Sequence, residues 1–539
     1  MSATTLPKVL LRGGYVHTPA DPHATALTVE GGAVTWTGDD DAAEHFADGA
    51  DRVVDLEGRL VTPAFVDSHV HLAQTGFAAT GVDLTGTASL HHALDVLASH
   101  ANHSSAAVLL GFGWDETTWP EHRPFTRQEL DRATGGRLVL LGRVDEHSAV
   151  VSSAFLDACP EVAHAEGFDA SGLVARDAQH AARLGLFRLV PAGDREGAIL
   201  RALQDAARQG IGMVHELGAP HISPADDFAV IAALGDRLPL PETVGYWGSL
   251  HVEQAVALGC AGAAGDLCVD GSIGSRTSAL HTPYADAATT GHLYLTAEQV
   301  TEHVVACTRA GVQGGFHVIG DRAVAEVVAG LQAAAEVVGR PALLQARHRL
   351  EHVEMTDPDQ MAVLGSLGVV ASMQPVFDEY WGGRDSLYAQ RLGADRALPM
   401  NGFSSMTRAG VGLAFGSDSP VTPLGPWAAV RAAAWHRTES ERLTVRGAFN
   451  AHTRGGWRAA GRDEGGVVAL GAPASLAVWD VPGDLVVQTP DSRVAAWSTD
   501  PRAGVPHLPD LHPDLDLPTC VMTLAGGEVV FEHEGVLTS

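Results

Sequence analysis

Short apolar stretches that end in polar residues, several of them followed by an Ala-rich helical stretch, dominate the middle of this chain. This alternation predicts repeated βα units, which build a parallel sheet with helices outside it. FVDSHVH is the first predicted strand, and seven more follow: GIGMVHELG, ETVGYWGSL, GDLCVDGS, GVQGGFHVIGD, HRLEHVE, GVVASMQP and GVGLAFGSD. About eight such units predict an α/β fold closed into a (β/α)8 TIM barrel.

The two ends of the chain differ in pattern from the middle. Residues 1–62 and 465–539 contain short apolar runs separated by Gly-Gly and Glu-Gly turns, which are typical of β-hairpins. We expect both ends to pair into one small β-sandwich domain. The barrel is then residues 63–464, and its strand count requires a large insertion at about residues 80–190, which distorts the barrel.

The charge of the chain argues against several classes of partner. With 65 acidic against 35 basic side chains, the formal net charge is −30, so a nucleic acid or an anionic membrane surface would be repelled. We therefore expect a small-molecule substrate, no nucleic acid and no membrane. The oligomeric state stays open, with a homo-oligomer among the options.

Targeting signals and cysteine spacing favour a cytoplasmic protein. The stretch MSATTLPKVLLRGG lacks the apolar run of a signal peptide. The sequence also lacks an uninterrupted apolar run of about 18 residues, so it predicts no membrane span. The five cysteines have no CxxC spacing, as expected of reduced thiols.

Two histidines close the first predicted strand in the segment FVDSHVHL. His69 and His71 are two residues apart, so both project to the same face of an extended strand. Histidine or aspartate also closes three other predicted strands, at His317, His352 and Asp418. Since the active site of such a barrel lies at the carboxyl ends of its strands, these side chains should converge there as a metal site.

Several segments together resemble the metal-dependent amidohydrolase superfamily, in particular the branch of N-substituted formamide deformylase (amidohydrolase family 3). They are FVDSHVHL, DGSIGSRTSAL, HVIGDRAV, RLEHVE and GSDSPVTPL. The resemblance implies that His69, His71 and His317 are metal ligands. It also implies that His352 is a ligand or orients water, and that Asp418 is both a ligand and the catalytic proton acceptor.

The implied reaction is hydrolysis of a non-peptide C–N bond, in an amide, N-formyl group, carbamate or cyclic amide. A metal held by imidazoles and a carboxylate brings the pKa of bound water toward about 7, and Asp418 can pass the proton to the leaving nitrogen. His352 can stabilise the oxyanion, and zinc suits these ligands, with iron or manganese as alternatives. The alternative function is a mononuclear metal deaminase of an amino-substituted heterocycle, although Gly320 stands where such enzymes carry a glutamate.

The chain departs from this family where a carboxylated lysine bridges two metals. Asp266 occupies that position, and Lys8, in the N-terminal sheet, is the single lysine of the sequence, so a lysine-bridged pair is excluded. Asp266 could supply the bridge directly, but on a regular strand it would lie two pleats below Asp270. We therefore favour one ion over two, with Asp266 as a further candidate ligand and Cys268 as a less favoured soft ligand.

Other residues are candidates for supporting roles. Asp321 and Glu351 lie beside the metal-binding histidines in sequence and could orient their rings as hydrogen-bond acceptors. The segments GFGWDETTW and GRVDEHSAVV resemble pocket-forming parts of the family. The candidate substrate-binding or pocket-lining residues are Trp114, Asp115, His147, Asp270, Arg276 and Gln374.

Overall fold

An eight-stranded parallel sheet forms the centre of the molecule. The computed structural model describes residues 6–488, 497–498 and 505–537. The central strands pair side by side in chain order. Labelled β1 to β8, they are Phe65–Val70, Ile211–Gly218, Glu242–Trp247, Gly262–Ala263, Gln313–Val318, Arg349–His352, Val370–Met373 and Gly412–Phe415.

The two edge strands of this sheet meet at their carboxyl ends. Asp418, just after β8, donates its amide N–H to the carbonyl of His69 at 2.8 Å, and the amide of His71 donates to the carbonyl of Ser419 at 3.1 Å. Val70 and Ser419 form a parallel bridge. The predicted barrel is therefore confirmed, and its seam lies where the predicted metal ligands of β1 and β8 meet.

The fourth strand differs from its prediction. β4 is limited to Gly262–Ala263, which pairs with the start of β5, whereas the sequence predicted a strand through GDLCVDGS. Gly265 has φ +84°, a left-handed conformation that interrupts an extended strand. An irregular segment that carries Asp266 follows. The pleat argument against Asp266 is therefore wrong, because this aspartate does not lie on a regular strand.

Helices cover the outside of the barrel, and local capping fixes their ends. Helix Ala297–Ala310 begins with a capping box formed by Thr296 and Gln299, and it ends at Gly311 in a left-handed conformation, as such caps require. The other α-helices outside the insertion and the end sheets are Leu72–Ala78, Ala192–Arg208, Asp227–Gly235, Val252–Ala257, Asp321–Val338, Arg340–Ala346, Pro358–Ser366, Pro375–Trp381, Leu387–Leu392, Ala394–Ala397, Phe403–Arg408, Pro426–Ala434, Val445–His452 and Arg454–Ala459.

Both chain ends contribute to a pair of sheets, which confirms the predicted β-sandwich. One sheet has the order Ala33–Gly38, Ala26–Glu30, Val9–Arg12, Arg52–Asp55, and the other has the order Tyr15–Val16, Leu60–Pro63, Leu476–Asp480, Thr519–Ala525, Glu528–Glu532. Their apolar faces share one core, which includes Leu11, Leu27, Val478 and Leu524. Helix Asp40–Ala47 lies in the N-terminal part, and a small sheet contains Leu485–Gln488, Trp497–Ser498 and Leu508–Pro509. Parts of the predicted domain, residues 1–5, 489–496, 499–504 and 538–539, lie outside the described residues.

The chain between β1 and β2 builds a five-stranded sheet of its own. Its order is Leu173–Ala175, Ser148–Val151, Val139–Arg143, Leu109–Trp114, Val82–Asp83. The helices of this part are Leu90–His103, Arg127–Thr134, Ser153–Ala158 and Arg176–Leu189. Trp114, Trp119 and Phe125 fill one side of the sheet.

Membrane-spanning character is weak in the part of the chain that the structure describes. None of its helices alone is long and apolar enough to cross a bilayer. Asp321–Val338 and Arg340–Ala346 reach that length and apolarity as a pair, but they meet at a bend of 116°.

Candidate metal centre

The two histidines at the end of β1 face the aspartate that follows β8. His69 Nε2 lies 3.2 Å from Asp418 Oδ1, and His71 Nε2 lies 3.1 Å from the same oxygen. All three side chains are buried. Asp418 has φ +56°, a left-handed conformation that is uncommon outside glycine and that concentrates at functional sites. The barrel seam holds this strained residue against β1.

The second ring nitrogen of each histidine is fixed by a hydrogen bond. His69 Nδ1 donates to Glu351 Oε2 at 2.9 Å, and His71 Nδ1 donates to the carbonyl of Leu217 at 3.2 Å. With Nδ1 as the donor, Nε2 of each ring presents a lone pair to the carboxylates. Lone pairs that face carboxylate oxygens require a cation between them, either protons or a metal ion.

Asp266 lies at the centre of this group. Its Oδ2 is 3.2 Å from His71 Nε2, and its Oδ1 is 3.6 Å from both His69 Nε2 and His317 Nδ1. The irregular segment after β4 carries the carboxylate to the end of the barrel. The side chain therefore reaches the histidines of β1 and β5, although it is shorter than a carboxylated lysine.

The spacing of these atoms fits a shared metal ion. Metal bonds of about 2.0–2.2 Å bring two ligand atoms of one ion to about 3–4 Å from each other. The four contacts that join the β1 histidines to the two oxygens of Asp266 and to Asp418 Oδ1 span 3.1 to 3.6 Å. Among the described residues, His69 Nε2, Asp266 Oδ1 and His317 Nε2 are buried without a hydrogen-bond partner. A divalent ion would satisfy all three atoms, so the residues fit a metal.

The charges of the cluster also favour a cation. Burial opposes ionisation of Asp266, but His69 and His71 outweigh it and hold the pKa of Asp266 well below its usual value. The pKa of Asp418 is likewise lowered against the effect of burial, chiefly by His69. Burial also disfavours a charged His69, yet Asp418 and Asp266 raise the pKa of that imidazole. Both carboxylates are therefore ionised at neutral pH, as metal binding requires.

His317 and His352, at the ends of β5 and β6, complete the cluster. Atoms of these two histidines and of Asp266 lie within 4.8 Å of one another. Gln374, a predicted substrate-binding residue, instead accepts a hydrogen bond from His352 Nδ1 at 2.7 Å, which directs Nε2 away from the glutamine. Burial and the neighbouring His317 lower the pKa of His352 to about 3, so this imidazole is neutral.

A buried ion pair behind the cluster orients His69. Glu351, which accepts His69 Nδ1, also accepts Arg349 Nε at 2.7 Å, and Arg349 donates Nη2 to the carbonyl of Ser68 at 2.7 Å. Burial opposes ionisation of Glu351, but Arg349 and His69 lower its pKa to about 2. The structure therefore places Glu351 in the orienting position that the sequence predicted.

Trp114 and Asp115 belong to the insertion rather than to the site. Trp114 is fully buried, donates Nε1 to the carbonyl of Leu141 at 2.9 Å and stacks on Trp119. Asp115 forms an ion pair with Arg143 at 3.0 Å. The prediction that Trp114 lines the substrate pocket is therefore wrong, because its strand packs inside the core of the insertion.

Three further predicted residues hold the loop after β4 instead of binding substrate or orienting histidines. Asp270 accepts three backbone N–H groups at 2.8 to 2.9 Å, including that of Gly320. Arg276 pairs with Asp286 at 2.7 Å. Asp321 accepts a backbone N–H of the same loop at 3.0 Å. The substrate-binding roles of Asp270 and Arg276 and the histidine-orienting role of Asp321 are corrected accordingly.

His147 is brought to the site as predicted, and Cys268 lies beside it. Both line the cavity that contains the metal-binding cluster. The ring of His147 is 5.0 Å from that of His317, and burial lowers the pKa of His147 to about 3. Cys268 Sγ is 3.8 Å from His221 Nε2, and Cys268 joins none of the ligand groups found among the described residues.

One wall of this cavity was missed by the sequence prediction. It is formed by helix Arg176–Leu189 of the insertion and by His221, which follows β2. The signal was present as polar residues spaced by three and four positions along one helix, which indicates a single polar face.

The fold and the cluster together define a metal-dependent hydrolase built on a β/α barrel. The Amidohydrolase family model matches residues 52–531. The chain therefore belongs to the amidohydrolase family, as its strand-end motifs predicted.

Known proteins with similar sequences or structures agree with this assignment. The chain is 25% identical over 492 residues to the YtcJ protein of Bacillus subtilis, covering 83% of this chain and 89% of that protein. An uncharacterized metal-dependent hydrolase from Pyrococcus furiosus is 25% identical, with 87% of this chain and 98% of that one covered and a TM-score of 0.70. N-substituted formamide deformylase of Arthrobacter pascens is 30% identical over 137 residues, 25% of each chain. The formamide deformylase branch is thus matched in part.

Proposed function

We propose that the protein hydrolyses a C–N bond other than a peptide bond in a small molecule, with a divalent metal ion, preferably zinc. The observation that carries this proposal is the convergence of the two β1 histidines, His69 and His71, with Asp266 and Asp418, whose atoms lie 3.1 to 3.6 Å from the histidine nitrogens. The partial similarity to a formamide deformylase supports a C–N bond as the target.

We propose one tightly bound ion, held by His69, His71, Asp266 and Asp418. When bound, this ion lowers the pKa of a water molecule and polarises a carbonyl group. His317, which the family resemblance gives as a ligand, adds a further nitrogen to this group. Its Nε2 is buried without a hydrogen-bond partner among the described residues, and its Nδ1 lies 3.6 Å from Asp266 Oδ1.

Asp418 is assigned as the proton acceptor. Its carboxylate is ionised, and among the described residues only its Oδ1 contacts the β1 histidines. Its backbone is held at the barrel seam by the hydrogen bond to His69. It would take a proton from the attacking water and return it to the leaving nitrogen. His352, whose Nδ1 is held by Gln374, would direct Nε2 toward the carbonyl oxygen as it gains charge.

An apolar recess of about 20 Å³, room for about one water molecule, lies beside the cluster. It would hold the uncharged part of the substrate once its side chains move apart. Its lining includes Phe377, Trp381, Leu387 and Tyr388, together with His317, His352 and Asp418. Phe377 lies parallel to the ring of His352 at 6.0 Å. Aromatic walls of this kind bind an aryl or alkyl group while the polar end fixes the orientation.

The alternative deaminase chemistry has no structural support at Gly320. A Cβ at this position would lie 2.1 Å from the carbonyl oxygen of Ala279, so the backbone leaves no room for the proton-carrying glutamate of deaminases. A hydrolase that uses Asp418 for proton transfer needs no side chain there.

The experiment is a substrate panel with product identification. N-formyl and N-acetyl amines, carbamates, cyclic amides and amino-substituted heterocycles are incubated with the protein before and after chelation and zinc restoration. We expect zinc-dependent release of an amine and an acid from at least one amide, and a loss of turnover of at least 100-fold in Asp418→Asn. Zinc-dependent release of ammonia from heterocycles alone would instead assign the deaminase function.

A further inference from the structure

One face of an insertion helix points at the metal centre and carries two guanidinium groups, an imidazole and an amide whose Oε1 is buried without a hydrogen-bond partner among the described residues. Helix Arg176–Leu189 carries Arg176, Gln179, His180 and Arg183 at positions i, i+3, i+4 and i+7, which share one helical face. All four line the cavity that contains His71, Asp266, His317, His352 and Asp418. This face, which we call the donor face, contains two guanidinium groups and no carboxylate in a chain whose net charge is −30.

Arg183 is the most enclosed cation of the donor face. Its residue exposure is 8%, and its Nη2 donates to the carbonyl and to Oε2 of Glu146 at 2.7 and 3.0 Å. Gln179 donates to the same carbonyl at 3.3 Å. Among the described residues, no hydrogen-bond acceptor faces Nε or Nη1 of Arg183. Neither atom belongs to the fully buried polar atoms that lack a partner. The three N–H bonds of Nε and Nη1 are thus without an acceptor among the described residues.

Neutral imidazoles extend the donor face along the same wall of the cavity. The ring of His180 lies 4.0 Å from that of His221, which follows β2. Burial is the largest effect on both groups and lowers the pKa of His180 to about 4 and that of His221 well below its usual value. The imidazoles are therefore uncharged, and the cations of this wall are Arg176 and Arg183, each already paired with one glutamate.

The acidic groups near the donor face already have partners. Glu146 is paired with Arg183, and Glu166 is paired with Arg176 at 2.7 Å. The remaining carboxylates of the cavity are Asp145, which accepts hydrogen bonds from Ser272 and Ser275, and the two aspartates of the metal cluster. A compact anion could therefore approach the open side of Arg183 without meeting an unpaired carboxylate on the helix.

We propose that the substrate carries a carboxylate, which docks on Arg183 and the rest of the donor face while its C–N bond lies at the metal centre. This proposal rests on the proposed function and adds the substrate class: an amide with a carboxylate near the reacting bond and an apolar group for the recess around Phe377. Glu146 occupies Nη2 of Arg183 with two acceptors, so a substrate carboxylate would accept single charge-assisted hydrogen bonds from Nε or Nη1.

The test compares two substrates that differ in one carboxylate. N-formylphenylalanine and N-(2-phenylethyl)formamide share the formamide and the aromatic group. We expect the wild-type protein to have a kcat/KM at least tenfold higher for the carboxylate form, and Arg183→Gln to lose this preference, because a hydrogen bond to a charged group accounts for about tenfold or more. Arg176→Gln, at a partly exposed position, should lose a smaller part of it.

The matched control is Arg188→Gln on the same helix. Arg188 is more than half exposed, pairs with Glu161 and does not line the cavity. We expect this variant to keep the wild-type preference. Equal preference in Arg183→Gln, Arg188→Gln and the wild type would overturn the proposal. Arg183→Lys, which keeps the charge but loses the Nε and Nη1 donors, should retain an intermediate preference and covers the case in which Arg183→Gln fails to fold.

A binding measurement separates this proposal from the proposed function. Calorimetry compares 3-phenylpropanoate with 3-phenylpropanamide on the metal-loaded wild-type, Arg183→Gln and Arg188→Gln proteins. We expect tighter binding of the carboxylate in the wild type and Arg188→Gln, with a loss of about tenfold or more in Arg183→Gln. If the carboxylate binds in this pattern but no amide is turned over, carboxylate docking on the donor face is supported and the proposed amide hydrolysis is contradicted. Identical carboxylate affinity in all three proteins would overturn the proposal that the donor face binds a carboxylate, whether or not amides are hydrolysed.

Discussion

Asp266 Oδ2 lies 3.2 Å from His71 Nε2, in the position where the family resemblance places a carboxylated lysine. The contact exists because β4 ends at Ala263 and the chain then leaves the strand. Asp266 therefore supplies, from a shorter side chain, a carboxylate that also faces His69 and His317. A chain with one lysine can in this way keep an acidic group at the centre of its histidine cluster.

We predict that Glu351→Gln weakens metal binding by about 10- to 100-fold, because the variant loses the carboxylate that accepts His69 Nδ1. It also leaves the buried Arg349 without its counter-charge, which costs about 3 to 5 kcal/mol of stability. Chelator competition measures the first effect and thermal unfolding the second. Asp321→Asn is the matched control, because Asp321 binds a backbone amide of the loop after β4. An unchanged metal affinity in Glu351→Gln would contradict the orienting role.

We predict that Trp114→Ala destabilises the protein by about 3 to 5 kcal/mol and leaves KM unchanged, because the ring fills the insertion core. Trp381→Ala, in the apolar recess, should raise KM for aromatic amides. Thermal unfolding and steady-state kinetics measure both variants. A raised KM in Trp114→Ala with unaltered stability would return this tryptophan to the substrate pocket.

We predict that His452 makes stability depend on pH. Burial lowers its pKa to about 4 in the folded protein, whereas the unfolded value is about 6.5. The contribution is therefore fully present above about pH 6.5 and is lost as the pH falls through about 4, because the unfolded chain binds the proton first. Between pH 7.5 and pH 5 it amounts to roughly 2 kcal/mol.

His452→Gln tests this prediction, because an amide can donate to the carbonyl of Val66 as His452 Nδ1 does at 2.9 Å without titrating. Urea unfolding at the two pH values should show a smaller loss of stability in the variant than in the wild type. Equal losses would exclude His452 as a source of the pH dependence. Metal release at low pH affects both proteins and cancels in the comparison.

Residues that end regular strands were predictable from the sequence. His69, His71, His317, His352 and Asp418 follow strands whose direction and order set their position, so a count of βα units was enough to bring them together. The same count of βα units predicted the fold class. The hairpin pattern of the two chain ends predicted that they pair with each other.

Residues outside regular strands were not predictable in the same way. Asp266 depends on Gly265, whose left-handed backbone ends the fourth strand earlier than the apolar pattern suggests. Trp114 lies in the segment GFGWDETTW, which resembles a pocket-forming part of the family, but packing within the insertion decides the orientation of its side chain. Arg183 and His180 lie on a helix whose polar face is visible in the sequence, whereas the surface that this face meets depends on how the insertion packs on the barrel.

Metal content in the wild type and in Asp266→Asn tests the central claim most directly. Each protein is loaded with zinc, dialysed against a weak chelator and analysed for metal per chain, with Asp321→Asn as the control. We predict about one ion per chain in the wild type and in Asp321→Asn, and a loss of most of it in Asp266→Asn, because the ion loses the negatively charged ligand that faces both β1 histidines. A full ion retained by Asp266→Asn would contradict the assignment of Asp266 as a ligand, and two tightly held ions in the wild type would contradict the single site.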